Sequence, residues 1–100
     1  MSADDFADAV DLAIAKLRRM PEPEADSNMA WALAGSITDL SALLGILESG
    51  KVGPRLREAK EQARLSLTAL ILLADGGDTQ KIIDELKQAF IDANCPLEEW

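Results

Sequence analysis

Histidine and tyrosine are absent from the 100 residues, and cysteine occurs once. A chain without histidine has no imidazole base near neutral pH, no histidine-ligated zinc site and no Ser-His or Cys-His nucleophile pair. Cys95 cannot form a disulfide within the chain, and no basic segment followed by an apolar run begins the sequence, so we expect a cytoplasmic location. We predict no catalytic residue, no cofactor and no metal ion, and therefore no enzyme.

Aromatic side chains are also scarce, at 4% of the residues against 48% that are apolar. The apolar content is therefore aliphatic, and a chain of this length can bury one modest core. We predict a single helical domain over residues 1–100. The longest apolar stretch, 29–47, contains four polar side chains and two glycines, so we predict a buried helix there and no membrane span.

The spacing of the apolar residues predicts four α-helices, over about 3–20, 27–48, 54–75 and 79–94. Prolines at 21 and 23 end the first helix, because proline lacks an amide donor and disfavours helical backbone in the preceding residue. Connections of a few residues favour neighbouring helices that run in opposite directions. The predicted fold is an all-α, four-helix antiparallel bundle.

Each predicted helix has an apolar stripe that should face the core. The predicted core positions are Phe6, Val10, Ala13, Leu17 and Met20 in the first helix, Met29, Leu33, Ile37, Leu40, Leu44 and Leu47 in the second, Leu56, Ala59, Ala63, Leu67, Leu70, Ile71 and Ala74 in the third, and Ile82, Ile83, Leu86, Ala89, Phe90 and Ala93 in the fourth. We expect Trp100 to dock back onto this core and Cys95 to be a passive thiol.

Three connections contain residues that favour helix ends. Asp26 or Ser27 is predicted to cap the second helix, and Gly53 precedes a proline in the first turn of the third. We predict a left-handed cap at the Gly-Gly pair after the third helix, followed by Asp78 or Thr79 as the cap of the fourth. The Asp26-Ser27 pair resembles the phosphopantetheine attachment motif of acyl carrier proteins, but Asn28 stands where that family has leucine. We therefore predict a capping role.

The second and third helices have apolar residues on a second side, which is more than an isolated bundle of this size requires. We predict that this side mediates self-association into a homodimer. The predicted self-association residues are Trp31, Gly35, Ala42, Ile46, Leu65 and Leu72. Glycine inside a helix costs about 1 kcal/mol relative to alanine, so we expect the glycines of the second helix to have a packing role.

The 18 acidic and 10 basic side chains give a net charge of -8. The basic residues that cluster are Lys51, Arg55, Arg57, Lys60 and Arg64. Because positive charge at the start of a helix opposes its dipole, we expect a counter-charge from the acidic 22–26 loop, from Glu98 and Glu99, or from a partner subunit. Five cations without interleaved aromatics on an acidic chain do not predict nucleic-acid binding.

Acidic residues on the first helix and in the following loop are predicted to form a rim that binds a basic protein surface. The predicted rim residues are Asp4, Asp8, Asp11, Glu22, Glu24 and Asp26. We expect a small binding protein that inhibits or regulates a macromolecular partner, as immunity proteins and antitoxins do, by steric blockade or charge complementarity. The alternative is a structural, assembly or chaperone protein that works through the apolar surface of the second and third helices.

Overall fold

The chain folds into four α-helices and a terminal 3-10 turn. The computed structural model describes residues 3–50, 52–74 and 76–100, with side chains from Asp5 onward. The helices are α1 (Ala3–Arg18), α2 (Asn28–Glu48), α3 (Pro54–Leu73) and α4 (Gly77–Asp92), and the turn is Leu97–Glu99. The described residues contain no strand. The predicted all-α class is confirmed.

Three pairs of helices make most of the contacts between elements. The main contacts are between α1 and both α2 and α4, and between α2 and α3. The connection 49–53 has five residues and spans at most about 18 Å, whereas the 21 residues of α2 extend about 31 Å. Two helices so joined and packed along their length must run antiparallel.

A polar contact and a glycine lie where α2 and α3 meet. The hydroxyl of Ser66 on α3 donates a hydrogen bond to the carboxylate of Asp39 on α2. Gly35, one turn before Asp39, faces the same serine, since a Cβ built on Gly35 would be 3.7 Å from Ser66 Oγ. A Cβ at this distance makes ordinary van der Waals contact, so Ser66 does not require glycine at this position. Gly35 lies at the contact between α2 and α3, and its role in self-association stays a prediction.

The predicted core is confirmed for α1 and, in its central positions, for α3 and α4. The predicted core residues that are fully or nearly buried are Phe6, Val10, Ala13 and Leu17 on α1, Met20 just after it, Ala63, Leu67 and Leu70 on α3, and Ile83, Leu86 and Phe90 on α4. Ala9 and Ile14 of α1 are buried as well, although they were not among the predicted core positions. In α2 the prediction is partly wrong, because Ser36, Leu40 and Leu43 are the buried residues. The buried side is rotated toward α3, which leaves Leu33, Ile37, Leu44 and Leu47 half-buried along the other edge.

This rotation also corrects the prediction of a buried second helix. Only 17% of the most apolar 18-residue window of α2 is buried, although the mean hydropathy of that window is 1.5. By length and composition, α2 is the one described helix that could cross a membrane. Helices that pack inside soluble proteins meet the same two criteria.

Two of the predicted helix ends are confirmed and two are corrected. Ser27 caps α2, with its Oγ accepting a hydrogen bond of 3.0 Å from the amide of Ala30, and Gly53 precedes Pro54 as predicted. The prediction of a left-handed cap on α3 is wrong, because α3 ends at an extended Ala74.

The start of α4 differs from the prediction as well. This helix begins at Gly77 with Gly76 as its N-cap, and no side chain accepts a hydrogen bond there. Asp78 and Thr79 were predicted as caps but lie within the first turn. The backbone turns at Gly76 and Gly77, whose φ angles are 72° and 62°, so the Gly-Gly pair places the helix start two residues earlier than a polar cap would.

The C-terminal segment folds back onto the core. Asn94 has a φ of 59°, and the amides of Asn94 and Cys95 donate to the carbonyls of Ile91 and Phe90, at 3.0 and 2.9 Å. This 6→1 and 5→2 pair is the Schellman motif, which ends α4 and turns the chain. Trp100 then docks on the core, as expected, and its Nε1 donates to the carbonyl of Cys95 at 2.9 Å.

One buried polar group has no partner. Ser36 is fully buried, and its Oγ makes no hydrogen bond to any described residue. An unsatisfied buried hydroxyl carries a desolvation penalty of about 1–3 kcal/mol. We therefore expect Ser36→Ala to raise the free energy of unfolding by about 1 kcal/mol, because alanine also has the better helix propensity. Urea titration followed by circular dichroism measures this, and a lowered midpoint would contradict it.

Candidate protein-binding surface

The described residues include many carboxylates and the thiol of Cys95. No group of three Asp, Glu or Cys side chains among them is arranged to hold a metal ion. Cys95 is buried, and this burial raises the pKa of its thiol, with Lys60 opposing the shift and Asp5 adding to it. A neutral thiol is a poor nucleophile.

The predicted acidic rim divides into two groups, of which the first lies between α1 and α2. Asp8 and Asp11 line an open groove of about 680 Å³ together with Leu44, Leu47 and Glu48 of α2. Asp8 and Asp11 are three residues apart on a helix and therefore point to the same side. The side chain of Asp4 lies outside the described residues, so this part of the predicted rim is not placed.

The second group lies where the proline-containing connection passes α2. Glu22 and Glu24 line a groove of about 590 Å³ whose α2 wall includes Leu33 and Ile37. Both carboxylates are exposed at the rim. Asp26 does not line this groove, and its φ of 61° belongs to the turn that leads into α2. The structure therefore does not bring Asp26 together with the other rim residues.

Both grooves open on the same side of α2. Leu33 and Leu44 are eleven residues apart and Ile37 and Leu44 are seven apart, which is about three and two helical turns. We call this surface the acidic flank, with Leu33, Ile37, Leu44 and Leu47 as its floor and Asp8, Asp11, Glu22, Glu24 and Glu48 as its rim. Glu48 was not among the predicted rim residues, because it belongs to another helix.

The rim carboxylates are electrostatically free. None of the five forms an ion pair with a described residue, since the ion pairs found there are Lys16–Glu85 and Glu61–Arg64. Arg18 lies two turns beyond Asp11 on α1, and Arg19 is the cation nearest in sequence to the second group. The five carboxylates outnumber these two arginines, so the acidic flank combines an apolar floor with excess negative charge.

No family model, curated protein or solved structure matches this chain. The geometry and charge of its surfaces are therefore the basis for assigning a function.

The predicted basic cluster is not a continuous patch. Lys51 lies outside the described residues, while Arg55 and Arg57 are exposed at the start of α3. Lys60 lies over the ring of Phe6, with 5.6 Å from Nζ to the ring centroid, a cation–π contact. Arg64, the remaining member, forms an ion pair with Glu61. The four described residues of the cluster therefore have different environments.

Arg64 finds its counter-charge on its own helix. Its guanidinium contacts the carboxylate of Glu61, one turn earlier, and this hydrogen bond raises the arginine pKa. The predicted sources of counter-charge, in the 22–26 loop and at Glu98 and Glu99, are not the partners of Arg64. Water screens an exposed pair of this kind, so it contributes little to stability.

The predicted self-association residues other than Gly35 are on or near the surface. Trp31 is 70% exposed, Leu72 80% and Leu65 49%. Ala42 is also exposed, and Ile46 is half-buried. Single exposed apolar side chains are normal on a protein surface, so the exposure of Trp31, Leu65 and Leu72 does not by itself show a contact surface.

Proposed function

We propose that the chain is a non-catalytic binding protein that docks a basic macromolecular partner on the acidic flank. The observation that carries this proposal is the grouping of five unpaired carboxylates around an apolar floor on one side of α2. Apolar contacts supply affinity at such a surface, and the charged rim steers encounter and discriminates between partners. Blocking a basic functional surface would make the protein an inhibitor or regulator.

Charge supports the choice of partner. The net charge of -8 repels other acidic macromolecules and attracts basic ones over distances of about one Debye length. The partner surface must present arginines or lysines to the rim and apolar side chains to the floor. A nucleic acid offers neither, and a basic protein offers both.

We expect neutralising the rim to weaken partner binding by about tenfold or more. The flank variant is D8N, D11N, E22Q, E24Q and E48Q together. A matched control is E58Q, D84N, D92N, E98Q and E99Q, at exposed positions elsewhere. Both sets change the net charge from -8 to -3. Five exposed ion pairs at about 0.2–1 kcal/mol each predict about tenfold weaker binding, or more, for the flank variant alone.

The measurement is cross-linked capture from source cells with the three proteins as baits, followed by titration of the captured protein at several salt concentrations. The proposal expects a protein that the wild type and the control retain and the flank variant loses, with an affinity that falls as salt rises. Equal retention by the flank variant and the control, or affinity independent of salt, would refute the acidic flank as the binding site.

A further inference from the structure

The side of α2 that faces away from the core is apolar or neutral along its whole length. Trp31, Ala34, Thr38, Ala42 and Gly45 are all exposed. Their spacings of three and four residues place them on one side of the helix, opposite the buried residues. We call this surface the outer strip. It adjoins the acidic flank, which lies along the edge of α2 that faces α1, because Ala34 also lines the groove beside Glu22 and Glu24.

No contact with a described residue explains the exposed tryptophan at position 31 of the outer strip or the glycine at position 45. Trp31 is 70% exposed and makes no ring contact with another described aromatic residue. Gly45 lies inside the helix, where glycine costs about 1 kcal/mol relative to alanine. A Cβ built on Gly45 would meet nothing within 4 Å, so no described neighbour requires its small size. Gly35 differs, because Ser66 lies against it.

The strip is self-complementary about Thr38. Trp31 and Gly45 are each seven residues from Thr38, and Ala34 and Ala42 are each four. In a two-fold symmetric contact, residue i meets residue j and residue j meets residue i. Two antiparallel α2 helices that cross at Thr38 would therefore place the indole of each copy over Gly45 of the other, with the alanines facing one another.

We propose that the chain forms a two-fold homodimer in which the outer strips of two α2 helices pack antiparallel, with Thr38 at the axis. Trp31 is the large anchor of this contact, and Gly45 is the space that receives it. Small residues at the crossing allow the two backbones to approach closely. This inference goes beyond the proposed function, since it assigns a second surface of α2 to contact with another copy of the chain.

Surface area and charge favour a second copy as the occupant. The chain exposes 6026 Å², whereas a folded monomer of 10.8 kDa exposes about 5,500 Å². The excess of about 500 Å² is a substantial part of the roughly 800 Å² that each partner buries in a stable interface. Asp39 is the one charged residue between 29 and 47, and it accepts a hydrogen bond from Ser66. Like-charged chains can therefore meet on this side with little repulsion.

The decisive variant is Gly45→Leu. A larger residue there meets open space within the chain and improves helix propensity, so the fold should be retained. It fills the space proposed for Trp31 and should weaken dimerisation by about tenfold or more. Sedimentation equilibrium over a wide concentration range measures this, with Ala15→Leu as the control at an exposed site on α1.

The two-fold arrangement has its own test. Trp31→Ala should also weaken the dimer, and adding Gly45→Trp to it should restore association, because the large and small residues exchange places. In a Cys95→Ser background, Thr38→Cys should oxidise to a disulfide-linked dimer, while Ala15→Cys at the same concentration should not.

Three results would overturn the proposal. The first is a wild-type chain that stays monomeric at every concentration. The second is a dimer that Gly45→Leu leaves intact. The third is a monomer that co-sediments with phosphatidylcholine vesicles and loses this binding with Trp31→Ala, since the strip would then face lipid.

Discussion

Phe90→Ala is expected to lower the free energy of unfolding by about 3–5 kcal/mol, the range observed when a large aromatic residue is removed from a core. Phe90 is fully buried on α4. Its ring is in edge contact with Trp100 at 4.8 Å between centroids and tilted against Phe6 at 6.5 Å. The substitution removes both contacts, each worth about 0.5–1.5 kcal/mol beyond the buried area, and leaves a cavity.

The size of this effect matters because a 100-residue domain is stable by only about 5–15 kcal/mol. Urea denaturation followed by far-ultraviolet circular dichroism measures it. Ile91→Ala is the control, since Ile91 is the next residue on α4 but is 51% exposed, and its loss should stay below about 1 kcal/mol. Similar losses for the two variants would show that the aromatic cluster is not the centre of the core.

Much of the fold could be predicted from the sequence, because α1 and α4 are apolar on one side only. In α1 a single stripe alternates with aspartates, so the periodicity determines the buried side, and Val10, Ala13 and Leu17 are buried as predicted. In α2 the periodicity is ambiguous, since almost every residue is apolar or small. Whether Ser36 and Leu43 are buried, rather than Leu33 and Leu44, depends on the position of α3, which is a property of the tertiary packing.

The residues of the acidic flank could likewise be predicted only in part from the sequence. Asp8 with Asp11 and Glu22 with Glu24 could be grouped from the sequence, because each pair is close along the chain. Glu48 could not, since it joins Asp8 and Asp11 only after α1 and α2 pack. Asp26 was grouped wrongly because sequence proximity to Glu24 does not reveal the left-handed backbone turn between them and α2. Leu33 and Ile37 were expected in the core and instead form the floor.

Trp100→Ala is expected to lower the free energy of unfolding by about 2–4 kcal/mol, slightly less than Phe90→Ala because the indole is half-buried. The substitution removes edge contacts with Phe6 at 5.1 Å and Phe90 at 4.8 Å and the hydrogen bond to the carbonyl of Cys95. Trp100→Phe keeps one aromatic ring but loses the indole N–H and part of the packed ring area, so its loss should be about 1–2 kcal/mol. Urea denaturation gives both values.

Thiol reactivity separates undocking of the C-terminal segment from a general loss of stability. Burial raises the pKa of Cys95, so in the native chain its thiol should react slowly with a disulfide reagent, and faster as pH rises and thiolate forms. Trp100→Ala should accelerate this reaction by more than Ile83→Val, a core substitution on α4 that costs about 0.5–1.5 kcal/mol but leaves the indole in place. If Cys95 reacts equally slowly in Trp100→Ala and in the native chain, the indole does not shield the thiol.

The Schellman turn and the indole hydrogen bond both involve the backbone of Cys95. We therefore expect the loss of one to weaken the other, so that the end of α4 frays together with the terminal turn.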